Sequence, residues 1–174
     1  MQSVRPFPRL FSRRLVGCAA ISSAPLAMAL AAIATPAAAQ TPFNALAGSW
    51  SGGGQIRLGD GRTERLSCRA NYNPRAGGSS MGMSIRCASP SYRIELRSSL
   101  QYAAGGQVSG TWEERSFNQA GTISGRASSG ALNMSFSGNI NGSLNVSYSG
   151  SSQRVSITTG GNGFSSVSLS LSKG

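Results

Sequence analysis

The chain has 174 residues, with five carboxylates (Asp60, Glu64, Glu95, Glu113 and Glu114), three cysteines and no histidine. That inventory limits its chemistry. Without histidine there is no Ser-His or Cys-His pair to activate a nucleophile. Asp60 precedes Gly61 and belongs to a turn. Glu113 and Glu114 are neighbours, so on a strand they point to opposite faces. The sequence places no second carboxylate beside either of them for glycosidic hydrolysis. Two or three cysteines without histidine do not make a zinc site. The chain is therefore expected not to be an enzyme and to need neither cofactor nor metal.

The cysteines have to be read together with the N-terminus. Residues 1–14 carry Arg5, Arg9, Arg13 and Arg14 and no acid, residues 15–34 are apolar and Ala-rich, and Thr35-Pro36-Ala37-Ala38-Ala39-Gln40 follows. A charged start, a short apolar stretch and a small-x-small site describe a cleavable bacterial export signal. Cleavage is expected after Ala39, giving a periplasmic or secreted protein. Pro25 and Pro36 interrupt the apolar run, which argues against a membrane anchor, and no later segment reads as a transmembrane helix. Leu15-Val16-Gly17-Cys18 has the look of a lipoprotein box but begins the apolar region instead of ending it. Ser12-Arg13-Arg14-Leu15-Val16 resembles the start of a twin-arginine signal without its usual aromatic.

Removal of residues 1–39 takes Cys18 and four arginines with it. Cys68 and Cys87 are left as an even pair in an oxidising compartment, where a disulfide is the default. Closing a loop of about 20 residues contributes about 3 kcal/mol in the chain-entropy model. Twelve basic and five acidic residues then remain, a formal charge of +7.

These groups must be positioned by strands. From Trp50 onward the chain is rich in Gly and Ser and alternates with period two, broken by turn signals. Strands are expected over 48–58, 63–73, 80–89, 92–103, 106–116, 121–128, 131–139, 143–149, 153–159 and 165–172. Asp60-Gly61, Asn141-Gly142 and Asn162-Gly163 suit tight hairpin turns. Residues 40–47 read as a short linker and 48–174 as one domain. Short sequential strands imply an all-β, antiparallel up-and-down meander. Closure as a small barrel of about 8–10 strands removes its exposed edges.

Two hairpins can be put in register. Leu66, Cys68, Ala70 and Tyr72 share one face of their strand, as do Met81, Met83, Ile85 and Cys87 of the next. Folding about Gly77-Gly78 sets Cys68 opposite Cys87, Tyr72 opposite Met83 and Ala70 opposite Ile85, so disulfide and apolar pattern choose the same pairing. At Asn141-Gly142 a two-residue loop would put the flanking apolar sets on opposite faces. A three-residue loop with Gly142 left-handed is expected instead, pairing Phe136 with Val146 and Met134 with Tyr148. A loose repeat, Val108-Ser109-Gly110, Ile123-Ser124-Gly125, Phe136-Ser137-Gly138 and Tyr148-Ser149-Gly150, suggests glycines that ease curvature.

Two surfaces are candidate sites. Arg65, Arg69, Arg86, Arg93 and Arg97 lie on the polar faces of three successive strands, with Arg69 opposite Arg86. Like charges directly opposed are destabilising, which points to an anionic partner such as lipopolysaccharide, a lipid headgroup or an acidic glycan. A turn at Ser89-Pro90-Ser91-Tyr92 would bring Glu95 opposite Arg86. Nucleic acid is not expected, because no exposed aromatics interleave the arginines. The other surface is the barrel interior, where Trp50, Tyr72, Met83, Tyr92, Trp112 and Phe136 are candidates to line an apolar pocket. Glu114 shares the Trp112 face and is a candidate ligand contact at the mouth.

Leu46-Ala47-Gly48-Ser49-Trp50 resembles the Gly-x-Trp opening of lipocalins and related calycin barrels. That resemblance implies a closed barrel whose Trp50 seals the bottom and whose interior holds a small apolar ligand. Ten expected strands, small side chains and no evident C-terminal helix depart from the family pattern. An outer-membrane barrel fits less well: the segments are short, aromatics are too few for two girdles, and the chain ends without an aromatic.

Overall fold

The computed structural model describes residues 41–160 and 163–174. The expected leader, residues 1–39, and Asn162 of the last Asx-Gly turn lie outside them. Among the described residues, no helix is long and apolar enough to cross a membrane.

A short helix, α1 (Pro42–Leu46), precedes ten strands: β1 (Gly48–Leu58), β2 (Thr63–Arg75), β3 (Ser80–Ala88), β4 (Arg93–Ala103), β5 (Gln107–Glu114), β6 (Gln119–Ser128), β7 (Ala131–Gly138), β8 (Gly142–Ser149), β9 (Ser152–Thr159) and β10 (Phe164–Lys173). Each strand pairs antiparallel with its sequence neighbours, and β1 also pairs with β10, so the meander closes into a barrel. The period-two pattern assigns the two faces. In β2 Leu66, Cys68, Ala70 and Tyr72 are buried, while Arg65, Ser67, Arg69 and Asn71 are exposed.

The β2–β3 register is the expected one: Cys68 faces Cys87, Ala70 faces Ile85 and Tyr72 faces Met83. A disulfide joins Cys68 to Cys87 inside the barrel wall. The β3–β4 hairpin also sets Glu95 opposite Arg86.

The β7–β8 hairpin differs from expectation. Phe136 pairs with Gly142 and Met134 with Leu144, in place of Val146 and Tyr148. The faces are kept, because the two registers differ by an even number of residues, but the loop is longer. Gly142 is not left-handed; the positive φ falls at Gly138. The reason is packing. The Phe136 ring lies over Gly142, and a Cβ there would come within 2.5 Å of ring atom Cζ. Asn141 holds the longer loop by accepting a hydrogen bond from the Gly138 N–H through Oδ1 (3.2 Å).

Two of the repeated glycines, Gly110 and Gly125, serve the same kind of fit. Gly110 pairs with Ile123 and Gly125 with Val108, so each large inward residue lies beside a residue without a side chain. A Cβ on Gly110 would stand 2.0 Å from the Ser99 carbonyl oxygen, and one on Gly125 2.1 Å from that of Asn133. The coiled wall brings neighbouring backbones too close for any other residue.

The ends of the barrel are unlike. At one end α1 lies across the opening, and residues 42–46, expected as linker, are a plug. Pro42 suits the first helical turn, and Phe43 and Leu46, three apart, fall on one side of that turn and are wholly buried. The Phe43 ring meets Tyr102 edge-on at 5.9 Å. The Tyr148 hydroxyl donates to the Pro42 carbonyl (3.0 Å) and Asn44 Nδ2 to that of Gly77 (3.4 Å). The other end is bounded by the turns β1–β2, β3–β4, β5–β6 and β7–β8.

Candidate functional site

The barrel interior is not filled. A cavity of about 410 Å³ runs from the open end toward the plug, within the range of small-molecule sites. Its walls are aliphatic and aromatic, from Ile56 and Leu66 through Met83, Ile85 and Leu96 to Val155 and Leu169.

Tyr72, Met83, Tyr92, Trp112, Glu114 and Phe136 all border this space. Trp50 does not. It lies below the cavity, 1% exposed, and its Nε1 donates to the Leu46 carbonyl (2.8 Å). Its ring meets Tyr72 edge-on at 6.4 Å, and Lys173 Nζ sits 5.5 Å from the ring centroid. Trp50 thus ties α1 to the barrel instead of touching an occupant.

Polar groups inside are few. Tyr72 accepts a hydrogen bond from Gln153 Nε2 (2.8 Å), both side chains being buried. Desolvation pushes its hydroxyl up to about 12, so Tyr72 is a neutral phenol. Ser98 is buried on the inner face of β4 and donates to the Thr111 carbonyl (2.8 Å). Trp112 packs edge-on against Phe136 at 5.7 Å, and its buried Nε1 has no partner among the described residues.

Glu114 borders the mouth, but its oxygens are engaged. They accept from the backbone N–H groups of Glu95 (2.8 Å), Ser116 (3.2 Å) and Phe117 (2.7 Å). Its place at the cavity border is the expected one, and these bonds also shape the β5–β6 turn and hold the Phe117 backbone. Phe117 is half exposed and meets Tyr92 edge-on at 5.9 Å. Phe117, Gln119, Asn139, Ile140 and Phe164 also border the cavity. Strand alternation gives no notice of them, because they sit in or beside the turns at the mouth.

Arg65, Arg69, Arg86, Arg93 and Arg97 are all exposed on the outer wall, away from the cavity. Glu95 gathers several arginines: Arg97 Nη2 lies 2.9 Å from its Oε1, Arg86 Nη2 3.5 Å and Arg115 Nη1 3.6 Å. The Arg97 hydrogen bond, assisted by the Arg86 and Arg115 charges, holds its carboxyl below the usual range. Arg93 donates to the Ser89 carbonyl (3.0 Å). Arg69, directly opposite Arg86, has no acidic partner among the described residues.

No family model matches the chain, and no curated protein matches its sequence. Solved structures match its fold. The S-type phycobiliprotein lyase CPES from Guillardia theta is 12% identical with a TM-score of 0.54, over 75% of this chain and 89% of the lyase. The redesigned β-barrel mFAP1, solved bound to DFHBI, is 13% identical with a TM-score of 0.47, over 76% of this chain and 99% of its own. A fluorescence-activating β-barrel designed de novo is 13% identical with a TM-score of 0.46, over 77% of this chain and 98% of its own. At 12% identity the likeness to the lyase is one of fold alone.

Proposed function

We propose that this is an exported, non-enzymatic barrel protein that binds a small apolar or amphipathic ligand in its interior. The observation that carries the reading is the apolar cavity, open at one end and plugged by α1 at the other. A domain of this size with a hollow interior gives up packing that a filled core would supply, and an occupant restores it. Trp50 beneath the cavity supports the lipocalin-like interpretation of Gly48-Ser49-Trp50. The Cys68–Cys87 disulfide is compatible with a compartment outside the cytoplasm.

Mass spectrometry of solvent extracts from purified protein is expected to find an apolar compound at about one per barrel, and Ile123→Trp, which fills the cavity from its wall, is expected to lower that occupancy. Protein that comes out empty in repeated preparations, with a core found solid, would sink the proposal.

A second reading rests on Arg69, which faces Arg86 without an acid of its own among the described residues. On this reading the outer arginines bind an anionic envelope component. Binding to vesicles containing phosphatidylglycerol should then weaken sharply with salt and be lost in the double variant Arg69→Ser, Arg86→Ser. Binding that survives both changes removes this alternative.

A further inference from the structure

A lone exposed apolar side chain is ordinary on a protein surface, but one on the edge of an apolar opening marks a place of contact. Phe117 is the one large hydrophobic side chain among the described residues that is exposed, at 50%. It stands in the β5–β6 turn and borders the cavity, as do Tyr92 of the β3–β4 turn and Ile140 of the β7–β8 turn. Apolar groups from three turns thus edge the entrance. The position of Phe117 is held from several sides. The Glu114 carboxylate accepts from the Ser116 and Phe117 N–H groups, and the Arg115 N–H donates to the Glu95 carbonyl (2.9 Å). Asn118 takes the left-handed conformation (φ 53°), which asparagine adopts more readily than most residues. This turn keeps half of an aromatic ring in water, against the drive to bury it.

The side of this end formed by β1 to β5 is also basic. Its carboxylates have partners. Asp60 lies 2.7 Å from Arg62, and Glu64 accepts from the Ser91 hydroxyl (2.6 Å) and N–H (3.2 Å), which ties β2 to the β3–β4 turn. Glu95 is shared by Arg86, Arg97 and Arg115, and Glu113 faces Arg97 across the β4–β5 pairing. Arg57, Arg65 and Arg93 are exposed near the same turns and make no ion pair among the described residues. An apolar edge beside cations without acidic partners is the composition that holds a protein at an anionic lipid surface.

We propose that the open end docks on an anionic lipid bilayer. Phe117 enters the boundary between headgroups and acyl chains, and the barrel tilts so that Arg57, Arg65 and Arg93 face lipid phosphates. The cavity then opens onto the bilayer, and an apolar ligand passes between membrane and barrel without crossing water. This deepens the carrier reading and rests on it for its purpose.

The test uses vesicles of phosphatidylcholine and phosphatidylglycerol with brominated acyl chains, which quench tryptophans that reach them. Trp50 and Trp112 are buried and give the background measured on the parent protein. Phe117→Trp is expected to show quenching beyond that background. Ala104→Trp, at an exposed position in the β4–β5 turn of the plugged end, is expected to show none. Phe117→Ser should bind the vesicles about tenfold more weakly, and salt should weaken binding of the parent. Arg69→Ser with Arg86→Ser leaves the rim intact and should still bind, which separates this contact from the second reading. Equal quenching at positions 104 and 117, parent-like binding of Phe117→Ser, loss of binding in the double arginine variant, or no vesicle binding at all overturns the docking. In each case a compound found in solvent extracts keeps the carrier reading. A dimer that Phe117→Ser dissociates, without vesicle binding, makes the rim a protein interface and overturns the docking as well. Barrels that dock in this way but come out empty remove the carrier reading alone.

Discussion

Trp50→Ala is expected to destabilise the barrel by about 3–5 kcal/mol, the usual cost of deleting a large buried aromatic. The loss has several sources. The side chain is almost wholly buried, its ring supports Tyr72, and its N–H is the partner of the Leu46 carbonyl. Truncation leaves a void under the cavity and removes one of the ties that hold α1, beside those through Tyr148 and Asn44. Since small domains are stable by only about 5–15 kcal/mol, the variant should approach the limit of folding. Trp50→Phe separates the contributions: most of the ring is kept, but a buried carbonyl loses its donor, at a cost of about 1–3 kcal/mol. Urea unfolding of the three proteins measures both steps. A Trp50→Ala protein as stable as the parent would show that α1 is not anchored through this residue.

Cys68→Ala combined with Cys87→Ala is expected to cost about 3 kcal/mol, from the entropy regained by the unfolded chain. Alanine is the right replacement because both sites are buried and a serine hydroxyl would add an unpaired polar group. The bond lies between β2 and β3 in a register that their apolar residues also favour, so the variant should still form the barrel, with the same strand pairing but a lower urea midpoint. Reduction of the parent protein should reproduce the shift. A change in pairing rather than in stability would mean that the disulfide sets the register by itself.

This hairpin is also where the sequence is most informative. Two independent signals, the cysteine pair and the alternation of Leu66, Ala70, Tyr72, Met83 and Ile85, meet in one register. At β7–β8 one signal is missing. Alternation decides which face Phe136 and Leu144 take, but any even shift preserves it, and turn preference at Asn141-Gly142 does not outweigh the packing of Phe136 on Gly142. The plug is hidden for another reason. Five helical residues are too few for periodicity to stand out, although Phe43 and Leu46 after Pro42 do carry the i, i+3 spacing. The inward residues of the candidate pocket can be read from alternation, but not the space between them. Whether a barrel is hollow depends on strand number and stagger, which no single strand encodes. The turn residues at the mouth, Phe117 and Ile140 among them, follow no period at all.

The seam between β1 and β10 has a consequence for the order of assembly. Trp50 is paired with Lys173, and Gly54 with Leu169, so the first strand gains one of its two neighbours only when the last strand arrives. Contacts so distant along the chain form late and slow the overall reaction. Until then the growing sheet presents two unpaired borders, each a template for another chain. A product truncated before residue 164 keeps both borders permanently and should form aggregates, whereas the barrel, once β1 and β10 pair, has none to offer.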